Sequence, residues 1–72
     1  MSNYETLSNA IVIQAAKDYR TARRKLQKNP YSMKALQTVK EVEVFFRSDW
    51  FKVLTPVDGG TILKLLEEEF DA

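Results

Sequence analysis

Cysteine and histidine are both missing from this 72-residue chain, and the two absences remove whole classes of chemistry. Without cysteine there is no disulfide framework and no thiolate metal site. Without histidine the commonest metal ligand and the commonest general base are gone. No cofactor and no metal are expected, and an enzyme is the least supported class. Glycine and proline are scarce, with two of each, and no segment is repetitive, low in complexity or linker-like. No apolar run approaches the roughly 18 residues of a membrane span, so no membrane partner is expected. The opening MSNYETLSNA lacks the basic-then-apolar order of a secretory signal, and the expected location is cytoplasmic.

The length suits one small domain over residues 1–72. A domain of about 60 residues buries only about 60% of the surface that its unfolded chain exposes. Its core rarely supplies more than about 3–5 kcal/mol unaided. With disulfides and metals set aside, oligomerisation and close helix packing are the remaining sources of stability. Lys plus Arg number 11 and Asp plus Glu 10, a net charge of +1. That balance says little about partners; the distribution of the charges says more.

Helical periodicity dominates what is present. From about Tyr4 to Lys28, the residues Tyr4, Leu7, Ile11, Val12, Ala15, Tyr19, Ala22 and Leu26 fall on one face. Such a helix would run about 37 Å, longer than the roughly 29 Å diameter of a compact globule of this size. Either one end projects or a second chain packs beside it. Pro30 ends this helix, and Ser32 is placed to cap a second from about Met33 to Arg47, with Ala35, Leu36, Val39, Val42 and Phe46 as its apolar stripe. Ser48 offers a fresh cap and Asp49 a favourable charge for a short third helix over Asp49–Leu54. The rival is an unbroken helix from Met33 to Leu54. A last helix is expected from about Pro56 to Phe70, with Thr55 as cap, Asp58 as capping-box acid, and Ile62, Leu63, Leu66 and Phe70 buried. Gly59 and Gly60 weaken its first turn and could delay its start to Thr61. No stretch alternates at period two. The fold class is therefore all-α: a long N-terminal helix packed against two or three shorter ones, a small helical bundle.

Four of the eight aromatic residues crowd into FFRSDWFKVLT, residues 45–55. Phe46, Trp50 and Leu54 keep helical spacing and read as core, while Val44 and Phe45 face either the last helix or solvent. Ser48 and Asp49 make a helix cap; as a catalytic pair they would lack a base to activate the serine. The second concentration is cationic. Lys17, Arg20, Arg23, Arg24, Lys25 and Lys28 occupy the distal half of the first helix, offset by Asp18. Lys17, Arg20, Arg24 and Lys28 form a stripe that could meet nucleic-acid phosphates. The plainer reading is a solvated face with cations near a helix C-terminus. No aromatic is interleaved for base stacking. Asp18, on the border of the apolar face, could pair with Arg47. The acids Glu67, Glu68, Glu69 and Asp71 point in different directions and read as a solvated end, not a metal cluster.

The third feature is Ala10-Ile11-Val12-Ile13 followed by Ala15-Ala16, where the first helix is apolar nearly all round. Such a segment is buried on several sides. Either the last helix covers Ile13 or a partner does, and small alanines would let another helix approach. Ile13, Ala16, Val44 and Phe45 are the candidate protein-interface residues. Lys17, Arg20, Arg23, Arg24 and Lys28 are the candidate nucleic-acid contacts of the alternative reading.

AIVIQAAKDYRTARRKL, FFRSDWFKVLT and DGGTILKLL together span roughly residues 10 to 66. Their pattern resembles a group of short, largely uncharacterised helical proteins encoded in phages and prophages of Gram-positive bacteria. Gly60 stands where that group has a bulkier, often acidic residue, so the last helix is expected to start differently here. The resemblance transfers no catalytic residues. It implies a mobile-element setting in a host bacterial cytoplasm, where small proteins commonly act by binding other macromolecules. The expected function is that of an accessory protein working through protein–protein binding, as a modulator or inhibitor of a host complex. A homo-oligomer is a second expectation, and nucleic-acid binding is the alternative.

Overall fold

The computed structural model describes the backbone of residues 3–71 and the side chains of residues 8–71. Among the described residues four helices follow one another: α1 over Asn3–Lys28, α2 over Met33–Arg47, α3 over Asp49–Leu54 and α4 over Gly59–Glu68. The described residues contain no strand, and the fold is a small all-α bundle. α1 and α2 lie antiparallel, with Asp18 beside Glu41 and Lys25 beside Lys34 along one shared groove. The length of α1 sets the shape. The principal extents are 41 × 19 × 19 Å and the radius of gyration is 13.0 Å, against roughly 11 Å for a compact domain of this size.

Serines make the joints. Ser32 caps α2, its Oγ accepting from the Ala35 amide at 3.3 Å. Ser48, in extended conformation, closes α2 and opens α3 at once. Its amide donates to the Phe45 carbonyl at 3.1 Å, and its Oγ accepts from the Phe51 amide at 3.2 Å. One residue thus satisfies orphan groups of two helix ends, and the chain turns there instead of continuing as a single helix to Leu54.

The start of α4 differs from the sequence expectation. Thr55 closes α3, donating its amide to the Phe51 carbonyl at 3.1 Å, and α4 begins only at Gly59. Its cap is Asp58, whose Oδ2 accepts from the Thr61 amide at 3.2 Å and the Thr61 hydroxyl at 2.6 Å. The Thr61 side-chain hydrogen bond is the main reason the Asp58 carboxyl titrates below its usual range. Its contribution to stability is therefore fully present above the ordinary carboxylate pKa and fades as pH falls through the lowered one.

The core comprises Tyr19, Val42, Phe46, Phe51, Leu63 and Leu66, with Ala22 and Ala35 also buried. Ser8, on the same face of α1, is buried as well. Three sequence assignments change. Trp50, expected inside, is 56% exposed, and Phe51 takes the buried place at 0%. A six-residue helix after the Ser48 turn has its own inward face, so the spacing carried over from Phe46 does not apply. Leu36 is 45% exposed, because it lies at the edge of the α2 stripe. Phe70 packs edge-on to Tyr19 with ring centroids 6.3 Å apart, although it lies beyond the last residue of α4. Tyr4 and Leu7 fall outside the residues whose side chains are described.

Gly59 is buried where α4 meets the end of α2. A Cβ there would overlap the Phe46 carbonyl oxygen and press the Phe51 ring. At Gly60 a Cβ would meet only the Asp58 carboxylate at 3.7 Å, an ordinary contact. Adjacent glycines should thus respond with opposite signs. Gly59→Ala is expected to destabilise by about 1–3 kcal/mol through overpacking. Gly60→Ala should stabilise by about 0.5 kcal/mol, by lowering the entropy of the unfolded chain. Urea denaturation of both variants checks this, and equal shifts would refute the packing.

Candidate protein-binding groove

The flank of the α1–α2 pair away from α4 is open. Two depressions run along it, sharing Asp18 and Glu41. One, of about 350 Å³, is lined by Ile11, Gln14, Ala15, Asp18, Glu41, Val42, Phe45 and Trp50. The other, of about 370 Å³, is lined by Asp18, Thr21, Ala22, Lys25, Lys34, Ala35, Thr38 and Glu41. The groove therefore has an apolar end, a middle with two carboxylates and a far end with two lysines.

Phe45 ties the apolar end to the core. Its ring touches Trp50, Phe51 and Phe46 at centroid distances of 5.6, 5.5 and 5.5 Å, edge-on to the first two. Burial increases along this series, from exposed Trp50 through half-buried Phe45 to Phe51 and Phe46. Trp50 is the outermost ring of an otherwise internal stack. An exposed tryptophan packed edge-on against Phe45 at an apolar depression is the kind of residue that anchors protein contacts.

The two carboxylates of the middle are positioned but not neutralised. Gln14 Nε2 donates to Asp18 Oδ1 at 2.9 Å, and Gln37 Nε2 donates to Glu41 Oε1 at 3.1 Å. Asp18 thus takes Gln14 as its partner and not Arg47, the last residue of α2. Among the described residues Asp18, Glu41, Lys25 and Lys34 form no ion pair, and no group of three or more acids, histidines or cysteines could hold a metal ion.

The candidate interface residues named from the sequence do not share one surface. Phe45 lines the groove. Val44 is 62% exposed on the outer face of α2, next to Glu41. Ile13 and Ala16 lie on the α4 side of α1, and Ile13 is 54% exposed, so the last helix does not cover it. On the facing flank of α4, Leu65 is 59% exposed and Ile62 half-buried. One to two turns further along both helices, the Arg20 guanidinium closes this second apolar strip by a two-point contact with the Glu69 carboxylate, Nε to Oε1 and Nη2 to Oε2, each at 3.1 Å.

The cationic candidates divide as well. Arg20 is committed to Glu69. Arg23 lies over the rings of Tyr19 and Phe70 at 5.6 and 5.3 Å, donates to the Tyr19 hydroxyl at 2.9 Å and approaches Asp71 at 3.8 Å. Burial raises the Tyr19 phenol above its ordinary pKa, and the Arg23 charge works against that. Glu69 and Asp71 are therefore partners of the basic helix, not a merely solvated end. Lys17, Arg24 and Lys28 remain exposed on the outer face.

The cleft beside the α4 N-terminus, about 430 Å³, carries Arg47 and Lys52. Asp58 already occupies that helix end, and Lys52 lies 3.6 Å from Asp49. The signals that residue spacing did not reveal are Trp50, Asp18 and Glu41, because each depends on which flank of a helix pair is left uncovered. Comparison with family models, curated proteins and solved structures finds no match to this chain.

The exposure of the two rings on α3 separates their roles. Phe51→Ala should cost about 3–5 kcal/mol, enough to leave little folded protein. Trp50→Ala should cost about 1 kcal/mol, the scale of one edge contact between rings. Tryptophan emission of the folded chain should accordingly resemble that of a solvent-exposed indole. Blue-shifted emission with a strongly destabilised Trp50→Ala would contradict the arrangement.

Proposed function

We propose that this chain is a phage- or prophage-type accessory protein that acts by binding another protein, as a modulator or inhibitor of a host complex. The mobile-element setting is supported by the resemblance of residues 10–66. The mode of action is carried by one observation: Trp50 stands 56% exposed at the end of an apolar groove lined by Ile11, Ala15, Val42 and Phe45. Isolated surface hydrophobics need no explanation, but an aromatic rooted in the core and set over a depression with charged rims has the form of a contact site.

The test is co-purification from a bacterial lysate with nuclease present, comparing the wild-type chain with Trp50→Ala and Glu41→Lys. Both positions are exposed, so both variants should fold. A protein partner retained by the wild type and lost about tenfold or more in Trp50→Ala supports the reading. A partner held equally by all three chains sinks it. Duplex binding by Lys17, Arg24 and Lys28 is the competing reading, favoured by their lack of ion pairs among the described residues. Three phosphate contacts would give a slope of about −2.7 in log K against log salt. Arg20 and Arg23 face carboxylates instead, and we expect no duplex binding at about 0.15 M salt, where the Debye length is about 8 Å.

The second apolar strip, with Ile13, Ala16, Ile62 and Leu65, supports self-association as an additional contact. Sedimentation should show the wild-type mass falling to that of a monomer in Ile13→Glu, with helical content unchanged. A wild-type chain that is monomeric at every concentration would remove this contact and leave the groove unaffected.

A further inference from the structure

The open flank of the α1–α2 pair is the place where a bundle would seat one more helix. Its floor is built from the facing edges of two antiparallel helices, the surface against which a further helix packs ridge into groove. Recognition of this kind is read from side chains spaced along one face of the incoming helix. The chemistry of the floor changes along its length in steps. Ile11, Asp18 and Lys25 lie seven residues apart on one edge of α1, so at 1.5 Å per residue the levels are about 10 Å apart. Across the groove, Phe45 with Trp50, then Glu41, then Lys34 stand at the same three levels.

Resting on the protein-binding reading above, we propose that this groove receives an amphipathic helix of a partner protein. That helix carries an apolar anchor against Trp50, a Lys or Arg seven residues along facing Asp18 and Glu41, and an Asp or Glu seven residues further facing Lys25 and Lys34. The geometry specifies the order of the levels, in either chain direction. Charge complementarity selects this occupant, since neither lysine nor either carboxylate is neutralised within the described residues. The two glutamine amides, which carry no charge, each hydrogen-bond one of the carboxylates.

A second copy of this chain is a poor occupant. Two-fold pairing makes a surface meet itself. Laid groove against groove over its full length, with either an axis along the groove or one across its middle, Asp18 and Glu41 would face their own copies. Four carboxylates would then meet with no cation between them, and like charges brought together are destabilising.

The experiment is selection from a displayed library of randomised amphipathic helices of about 18 residues, long enough to cover the roughly 21 Å from Ile11 to Lys25. The full-length chain is the bait and Trp50→Ala the counter-bait. We expect the recovered helices to carry the apolar, cationic and anionic positions at seven-residue intervals. Exchanging the two charges in a recovered peptide should weaken binding about tenfold, because both levels go from attraction to repulsion. The D18K/E41K/K25E/K34E variant, whose four positions are exposed or at the groove rim, should restore the exchanged peptide. Circular dichroism establishes that it is folded. Helices that depend on Trp50 but show no charge order overturn this inference and leave the protein-binding reading in place. Helices indifferent to Trp50→Ala, or a library that yields none, overturn it as well. Trp50-dependent retention of a lysate protein then decides the broader reading by itself.

Discussion

The arrangement of this bundle depends on how closely the first residue of α4 approaches the last turn of α2. Gly59 lies against the Phe46 carbonyl and the Phe51 ring, where any Cβ would collide. That contact anchors the N-terminal end of α4 beside the aromatic joint. From there ten helical residues carry the chain along α1, bringing Leu63 and Leu66 to Tyr19 and Val42, and then Glu69 and Phe70 to Arg20 and Tyr19. Since α4 is committed to that side, nothing in the described chain covers the other side of the α1–α2 pair. The groove is a consequence of the same contact.

Charge follows packing here. Six cations in the distal half of α1 look alike in sequence, yet they have four environments. Arg20 lies in a two-point contact with Glu69, and Arg23 is held between aromatic rings with a carboxylate nearby. Lys25 belongs to the groove, while Lys17, Arg24 and Lys28 face outward. The exposed Arg20–Glu69 contact is worth about 1 kcal/mol or less. Its larger effect is to remove a cation from the surface that would meet a nucleic acid. The acids of the groove, hydrogen-bonded by glutamines and in no ion pair among the described residues, are the opposite case: they remain available to a partner.

A domain this small has few buried residues with which to hold such features. Among the described residues eight hydrophobic ones are buried, and six of them form one cluster: Tyr19, Val42, Phe46, Phe51, Leu63 and Leu66. Phe45 connects this centre to Trp50 through ring contacts, so the exposed indole is oriented by the core although it adds little to it. Anchoring a contact residue in this way limits the side-chain entropy lost on binding.

Local physics was sufficient for much of the architecture. Helical periodicity and the capping chemistry of Ser32 and Ser48 determine α2 and α3, because a cap is a contact between a side chain and amides two or three residues away. The apolar faces of α1 and α4 follow from spacing in the same way. Spacing failed at Trp50, where the serine turn resets the helical phase, and at Thr55, where proximity to Pro56 suggested a cap that Asp58 supplies. Which of Ile13, Ala16, Val44 and Phe45 share a surface was not legible at all. Neither was the pairing of Arg20 with Glu69, 49 residues away, nor the meeting of Asp18 with Glu41 across a groove. Periodicity assigns a residue to the face of its own helix. Which faces are then covered depends on where other helices dock, and a close approach such as that of Gly59 to Phe46 is decided only when the whole chain has packed.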